Sequence, residues 1–289
     1  MKNRYIDLHI HTNFSDGTLS PEEVVQLAYR REVAAISITD HDMTDGIPAA
    51  LLEGAKLGVE VVPGVELSAE LPGSVESEMH ILGYYINWED KKFQEMLTNF
   101  RQAREQRACT IIEKLNKAGV NLNMEKLMKF AGKGSIGRLH CAKALLHEGA
   151  VKSITEAFRK YLGYGQIAYV QKARLSPEEA INSILNIGGI PVLAHPHYSH
   201  YSNPTFLRKL IELGLKGIEV WHSRHPASAL KNFSELAKEL GLLVTGGTDC
   251  HGCYSKEDSP VLGTAKVPYS ALADLKELKN KLDKERQIF

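Results

Sequence analysis

The sequence predicts an α/β protein, a barrel-like sheet of seven strands interrupted by a helical insert. Three observations predict it. First, two stretches repeat one unit. Leu19-Ser20-Pro21-Glu22-Glu23 and Leu175-Ser176-Pro177-Glu178-Glu179 each open a helix that yields to an apolar strand ending in histidine. A helix followed by a buried strand is the rhythm of a parallel α/β sheet. Second, acids and histidines recur near the C-terminal ends of the candidate strands, the mouth of such a barrel. Third, the stretch from about Asp90 to Gln171 shows helical patterns and no strand.

Each element has a local reason. In the two repeated units Ser is a good N-cap, Pro sits at the first helical position, and Glu three residues after the cap completes a capping box. The strands that follow are Val33–His41 and Ile190–His195. The other candidate strands are Arg4–His11, Val59–Ser68, Met79–Ile86, Gly217–His222 and Leu242–Asp249. Helices Pro48–Leu57, Pro204–Leu213 and Pro226–Leu240 stop at Gly58, Gly214 and Gly241, the usual left-handed stop. Lys91–Ala118 reads as one long amphipathic helix. Met124–Phe130, Arg138–His147 and Ile154–Tyr161 follow as shorter ones. Residues 1–90 and 171–289 are expected to form the barrel, and 91–170 a helical insert on one of its loops.

Composition narrows the function classes. A length of 289 residues suits one α/β domain with a smaller insert. Lys+Arg and Asp+Glu are both 35, so the net charge is +0 and nothing favours long duplex nucleic acid or an anionic membrane. The N-terminal MKNRYIDLHIHT lacks the apolar run of a signal peptide or anchor. Among four cysteines only Cys250 and Cys253 have a ligand-like spacing, which argues against a four-thiolate zinc site. A cytoplasmic protein with reduced thiols is the plain expectation.

Histidine is the outlier, with 12 copies, many beside acids. His9 and His11 are two apart on a strand and face one way. Alone, that spacing is a weak signal. Asp16 follows in a turn. Asp40-His41-Asp42 ends the second strand, where a carboxylate can orient a ligating imidazole. Glu66 closes an apolar strand, and burying it there is costly without a cation or hydrogen-bond partners. His80 lies in an apolar run, His195-Pro196-His197 ends one strand, and Asp249-Cys250-His251 ends the last. Taken singly, each has a bland explanation in turns, caps or packing. Their recurrence at the ends of strands in one apparent barrel points to a shared metal site. Mixed imidazole and carboxylate donors suit Mn, Fe or Zn better than Mg or Ca.

The order H-x-H, S-D-G, T-D-H-D, G-x-E, M-H, A-H-P, E-V and T-D-x-H-G closely resembles the PHP (polymerase and histidinol phosphatase) family. Within it the chain resembles the branch of nucleotide phosphatases and short-RNA exonucleases. The likeness extends into the insert, at Gly137–Leu145 and Lys160–Gly163. The resemblance implies a distorted seven-stranded barrel and two or three divalent cations. By position, His9, His11, Glu66 and Asp249 would hold one; Glu66, His80 and His195 a second; Asp16, His41 and His251 a third. Asp40 would serve the chemistry by supporting a ligand from behind. The implied activity is hydrolysis of phosphate esters of small nucleotides, with nucleoside 3′,5′-bisphosphates and short 5′-phosphorylated single-stranded RNA ends as substrates.

Substrate contacts are expected elsewhere. Arg138 opens a helix after Gly134-Ser135-Ile136-Gly137, where backbone N–H groups and a guanidinium favour phosphate. Ser135 and His140 are candidates beside it, although His140 can equally pack. Arg224, in the loop after Trp221 and His222, can contact phosphate, and His222 or His225 can donate a proton to the leaving oxygen. An ordinary polar loop explains those histidines about as well. His197 and His200 fit surface or supporting positions, and His147 an exposed helix face. The rival readings are another PHP phosphatase, such as one acting on histidinol phosphate, and a non-catalytic metal-binding module.

Overall fold

A computed structural model describes residues 4–70, 79–131, 136–172, 174–197, 203–253 and 259–286. The chain runs β1 (Tyr5–Ile10), α1 (Pro21–Arg30), β2 (Val33–Ile38), α2 (Ile47–Leu57), β3 (Glu60–Ala69) and β4 (Met79–Tyr84). Four helices follow: α3 (Lys91–Lys117), α4 (Met124–Ala131), α5 (Arg138–His147) and α6 (Ile154–Ala157), the last running into a π-helical turn, Phe158–Leu162. Then come α7 (Pro177–Asn186), β5 (Ile190–Leu193), α8 (Pro204–Glu212), β6 (Gly217–His222), α9 (Ala227–Leu240), β7 (Leu243–Gly247), β8 (Val267–Pro268) and α10 (Tyr269–Arg286). Both expected capping boxes form. Ser20 and Ser176 each accept the N–H of the third helical residue at 3.2 Å and receive its carboxylate on their own N–H at 2.7 Å.

The strands form one sheet in the order β7-β6-β5-β4-β3-β2-β1-β8. It curls until its first strand meets its last long one. Ile10 bridges Cys250 in parallel, His11 N–H donates to the Cys250 carbonyl at 2.9 Å, and Cys250 N–H to the His9 carbonyl at 3.3 Å. Gly247 permits this closure, because a Cβ there would collide with the backbone and Cβ of His9. The Tyr84 hydroxyl of β4 donates to the Leu8 carbonyl of β1 at 3.0 Å. Strands that are not neighbours in the sheet thus meet through side chains, as in a barrel interior. Ile6, Leu8, Val62, Leu82, Tyr84 and Val192 fill that interior, and Leu272 and Leu275 of α10 pack on the same cluster.

Two features differ from the sequence-based expectation. The sheet gains an eighth strand, β8, antiparallel to β1, together with α10, neither of which was expected. And β4 runs antiparallel to both β3 and β5. Residues 70–78 are too short a connection for the crossover a parallel neighbour needs, whereas an antiparallel return needs only a loop. The reversal matters to the site. His80 lies at the start of β4, and only a reversed strand brings its start to the mouth where the other strands end.

The helices between β4 and β5 have their own core, from Ala108 and Leu115 through Leu127 and Leu145 to Ala168. Helix α3 joins the two parts. Its early residues Phe93 and Leu97 pack with Ile181 and Leu193 of the barrel layer.

Candidate metal centre

The backbone at the mouth is locked before any side chain is considered. Asp40 takes the Thr12 N–H at 2.7 Å, the Thr12 hydroxyl at 2.6 Å and the Ser15 hydroxyl at 2.5 Å. It therefore lies behind the loop that carries Asp16. Asp42 N–H donates to the Glu66 carbonyl at 2.9 Å and Glu66 N–H to the Asp40 carbonyl at 3.2 Å, which ties the end of β2 to β3. Three non-glycine residues here have left-handed backbones: Asp42 (φ 51), His195 (φ 27) and Asp249 (φ 54). Such conformations persist only where surrounding structure enforces them, and they gather at functional sites.

The structure brings all nine candidate ligands together around Glu66. One carboxylate oxygen, Oε2, lies 3.4 Å from His9 Nε2, 3.2 Å from His11 Nε2 and 3.0 Å from His41 Nδ1. The other, Oε1, lies 2.8 Å from His80 Nδ1 and 3.1 Å from His195 Nε2. Asp249 Oδ1 is 3.1 Å from His11 Nε2 and 3.6 Å from His9 Nε2. Asp16 is 3.2 Å from His251 and 3.9 Å from His41. Three sets of donors lie close enough to share an ion: His9, His11 and Glu66; His41, Glu66 and His80; His11, Asp16, His41 and His251.

The residues fit divalent cations. His9 Nε2, His11 Nε2, His41 Nδ1 and Glu66 Oε2 are buried and form no hydrogen bond within the described structure. Four converging atoms left that way would be costly in a stable protein; a cluster of cations would satisfy them. The electrostatics agree. Burial disfavours a charged imidazole at His11, but Asp249 and Glu66 outweigh it and raise its pKa to about 10. Burial also opposes charge at His9, and Glu219, Glu66 and Asp249 push its pKa well above the usual range. Burial would raise Glu66, yet His80, His41 and His9 hold it well below the carboxylate range. Asp16 and Asp249 are likewise held low, against burial, by neighbouring histidines. The site keeps its anions charged and gathers positive charge.

Across a cavity of about 180 Å³, Asp16, His41 and His80 face Arg104, Arg107, Arg138 and Lys172. Arg138 was expected there. It is braced by the Leu162 carbonyl at 3.4 Å, and its guanidinium lies 5.6 Å from the Tyr169 ring centroid and 5.7 Å from that of Phe158. Arg104 and Arg107 come from α3 and are buried. Burial, then repulsion from Arg138 and Arg104, lowers the Arg107 pKa to about 10. Asp42 offsets part of this charge through Arg104, and the cations together favour an anion in the cavity. The sequence reading missed Arg104, Arg107 and Lys172. The signal was the spacing of Arg101, Arg104 and Arg107, which puts arginines on one face of a helix.

The remaining candidates separate clearly. His222 belongs to the wall of the site. Its Nδ1 accepts the Arg224 N–H at 3.1 Å, and its Nε2 points to Asp249 Oδ2 at 3.7 Å. Arg224 is exposed and lines a neighbouring cavity with Asp16, Asp249 and His251. His140 is buried, and its Nδ1 accepts the Gly137 N–H at 3.1 Å, so it caps α5. Burial lowers its pKa to about 4, which keeps it neutral. His225 is neutral for the same reason and donates to the Val220 carbonyl at 2.8 Å. His197 packs against His225, and His147 lies on an exposed face beside Glu148. Ser135 and His200 lie outside the described residues. Glu219, the acid of the E-V motif, is a site residue whose role the sequence does not reveal. It is fully buried, holds His9 Nδ1 at 3.0 and 3.2 Å, and accepts the His195 N–H at 2.8 Å. Its grip on Nδ1 turns His9 Nε2 toward Glu66 and Asp249.

Comparison with known proteins agrees with this geometry. The sequence profile of the PHP domain matches residues 7–165. A 3′,5′-nucleoside bisphosphate phosphatase from Chromobacterium violaceum is 33% identical over 250 residues, covering 85% of this chain and 87% of the relative. The 5′-3′ exoribonuclease Rnm of Escherichia coli is 34% identical over 251 residues, covering 85% and 84%. A solved structure from Bifidobacterium adolescentis, assigned as a metal-dependent phosphoesterase, superposes with a TM-score of 0.83 at 27% identity, covering 94% of this chain and 95% of the other.

Proposed function

From a chain that belongs to the PHP family, we infer a metal-dependent phosphoesterase that converts nucleoside 3′,5′-bisphosphates to 5′-monophosphates. The observation that carries this reading is the pair of sites facing one another across one cavity. The histidine and carboxylate cluster holds the phosphoryl group under attack, and Arg104, Arg107, Arg138 and Lys172 hold a second phosphate. Two or three ions of Mn, Fe or Zn would be held by His9, His11, Glu66 and Asp249, by Glu66, His80 and His195, and by Asp16, His41 and His251. Such ions, when bound, supply an activated water and offset charge on the phosphoryl oxygens. The protein supplies the rest. Glu219 aims His9, and Asp40 holds the Asp16 loop. The cationic wall binds the 5′-phosphate and so fixes the distance to the 3′-phosphate. His222, whose Nδ1 accepts the Arg224 N–H, is the candidate proton donor to the leaving oxygen.

The same geometry suits short 5′-phosphorylated single-stranded RNA, whose first nucleotide carries the same two phosphates. The helices of residues 91–170 act as a cap that supplies the second anion site. Among the described residues no helix is long and apolar enough to cross a membrane. The reading places the reaction in the cytoplasm, on small nucleotides rather than long duplexes.

The test is kcat/KM for adenosine 3′,5′-bisphosphate, 3′-AMP, 5′-AMP and histidinol phosphate, in wild type and Arg138→Ala. The bisphosphate should lead, and Arg138→Ala should remove about tenfold or more of its advantage while sparing simple aryl phosphates. Equal values for the three adenine nucleotides in the wild type would defeat the reading. A lead for histidinol phosphate would replace it.

A further inference from the structure

The cavity beneath the cationic wall has two neighbours. Leu139, the second residue of α5, lines that cavity and two neighbouring ones. The first neighbour, of about 490 Å³, lies on the other flank of the cluster, against Asp249 and His251, with Arg224 in its wall. The second, of about 650 Å³, is a largely apolar groove between the insert and the barrel loops. Phe130, Leu146 and Ile154 line it from the insert, and Thr18 and Cys253 from the barrel. Phe130 and His147 stand edge to face there, with ring centroids 5.4 Å apart, and Leu146 is 40% exposed. Lys143 also lines the groove.

A nucleoside bisphosphate accounts for the wall and the cluster. It leaves the other two cavities unused. We propose that the apolar groove binds the base of the nucleotide on the 3′ side of the scissile phosphate in a 5′-phosphorylated oligonucleotide, with Arg224 facing the phosphate that follows. The proposal rests on the reading above and names a longer substrate for the same site. Its occupant follows from continuity and charge. The groove adjoins both cavities of the cluster at Leu139, so a chain running on from the phosphoester under attack can enter it. Apolar and aromatic side chains suit the face of a base, and Lys143 and Arg224 suit the anionic backbone that carries it.

The chemistry is the same for both substrates. Water adds to phosphorus, and the bond from phosphorus to the 3′-oxygen of the first nucleoside breaks. That oxygen takes a proton. In the bisphosphate the phosphoryl group leaves as inorganic phosphate. In the oligonucleotide the downstream 5′-oxygen stays on phosphorus. The products are then a nucleoside 5′-monophosphate and a chain one nucleotide shorter, again 5′-phosphorylated and ready for another round.

The experiment compares two dinucleotides, 5′-phosphorylated diadenylate and the same molecule with an abasic sugar at the second position. Adenosine 3′,5′-bisphosphate serves as the reference substrate. Wild type should prefer the complete dinucleotide by about tenfold in kcat/KM, expressed in KM. Phe130→Ala and Leu146→Asp should each reduce that preference to about twofold or less. Leu146 is exposed, so its variant keeps the test valid if Phe130→Ala fails to fold. Equal cleavage of the two dinucleotides by wild type, or a preference unchanged in Leu146→Asp, overturns the groove assignment. Turnover of the bisphosphate with neither dinucleotide cleaved overturns the groove alone and leaves the bisphosphatase reading in place. Turnover of none of the three overturns both.

Discussion

Asp42 is the joint between the metal cluster and the cationic wall, and replacing it with Asn tests that joint. The side chain is 3% exposed and pairs with Arg104 of α3. It also accepts the Ser68 N–H at 2.8 Å and the Ser68 hydroxyl at 3.0 Å, and Lys172 lies 3.8 Å away. Burial alone would raise its pKa. Arg104, then Lys172 and the Ser68 N–H, outweigh burial and bring it from 3.8 down to about 2. That displacement corresponds to about 2 kcal/mol of folding free energy. Because the folded value lies below the unfolded one, the contribution is complete above about pH 4 and is lost as pH falls through about 2. Asn tolerates the left-handed backbone at φ 51 and can keep the Ser68 N–H on Oδ1, so Asp42→Asn removes the charge and the acceptor that faces Arg104. Urea unfolding of the metal-free proteins should show the variant about 2 kcal/mol less stable at neutral pH. The gap should shrink below about 1 kcal/mol near pH 2.5. A gap under about 0.5 kcal/mol at neutral pH, or one that ignores pH, would refute the reasoning.

Two further outcomes follow from the site. Glu219→Gln should weaken metal binding by about ten- to a hundredfold, because the carboxylate that orients His9 loses its charge; equilibrium metal titration would measure it, and unchanged affinity would remove Glu219 from the site. Metal loading should also release protons at neutral pH, since the surrounding carboxylates hold His11 protonated up to about pH 10 in the metal-free protein. Affinity should therefore rise with pH, and calorimetry in two buffers of different ionisation enthalpy should detect at least about one proton per chain; none released would contradict the assignment.

Much of the site was legible in the sequence, for a physical reason. His9, His11, His41, Glu66, His195, Asp249 and His251 lie in or just beyond strands whose apolar patterns are plain, and a strand end in a barrel is a place at the mouth. His80 was legible only as a histidine in an apolar run, because such a run does not reveal its direction. The antiparallel course of β4 comes from the short connection before it, and it alone brings His80 to Glu66. Arg104 and Arg107 were hidden in a long polar helix, where an arginine facing a cavity and one facing water look alike. His140 was legible both as a candidate phosphate contact and as a packing residue, and its position three residues after Gly137 makes it a helix cap. The closing helix α10 carries no motif, and its role is simply to cover Ile6 and Leu8 at the barrel interior.

The central claim is that Glu66 and its neighbours hold the cations that hydrolyse a nucleotide phosphoester. The most direct measurement pairs elemental analysis with phosphate release from adenosine 3′,5′-bisphosphate, in wild type and Glu66→Gln, before and after exhaustive chelation and after Mn²⁺ is restored. Wild type should carry more than one transition-metal ion per chain, lose turnover on chelation and regain it with Mn²⁺. Glu66→Gln should lose bound metal and at least about a hundredfold in kcat. Full phosphate release from demonstrably metal-free protein, or from Glu66→Gln at the wild-type rate, would contradict the account.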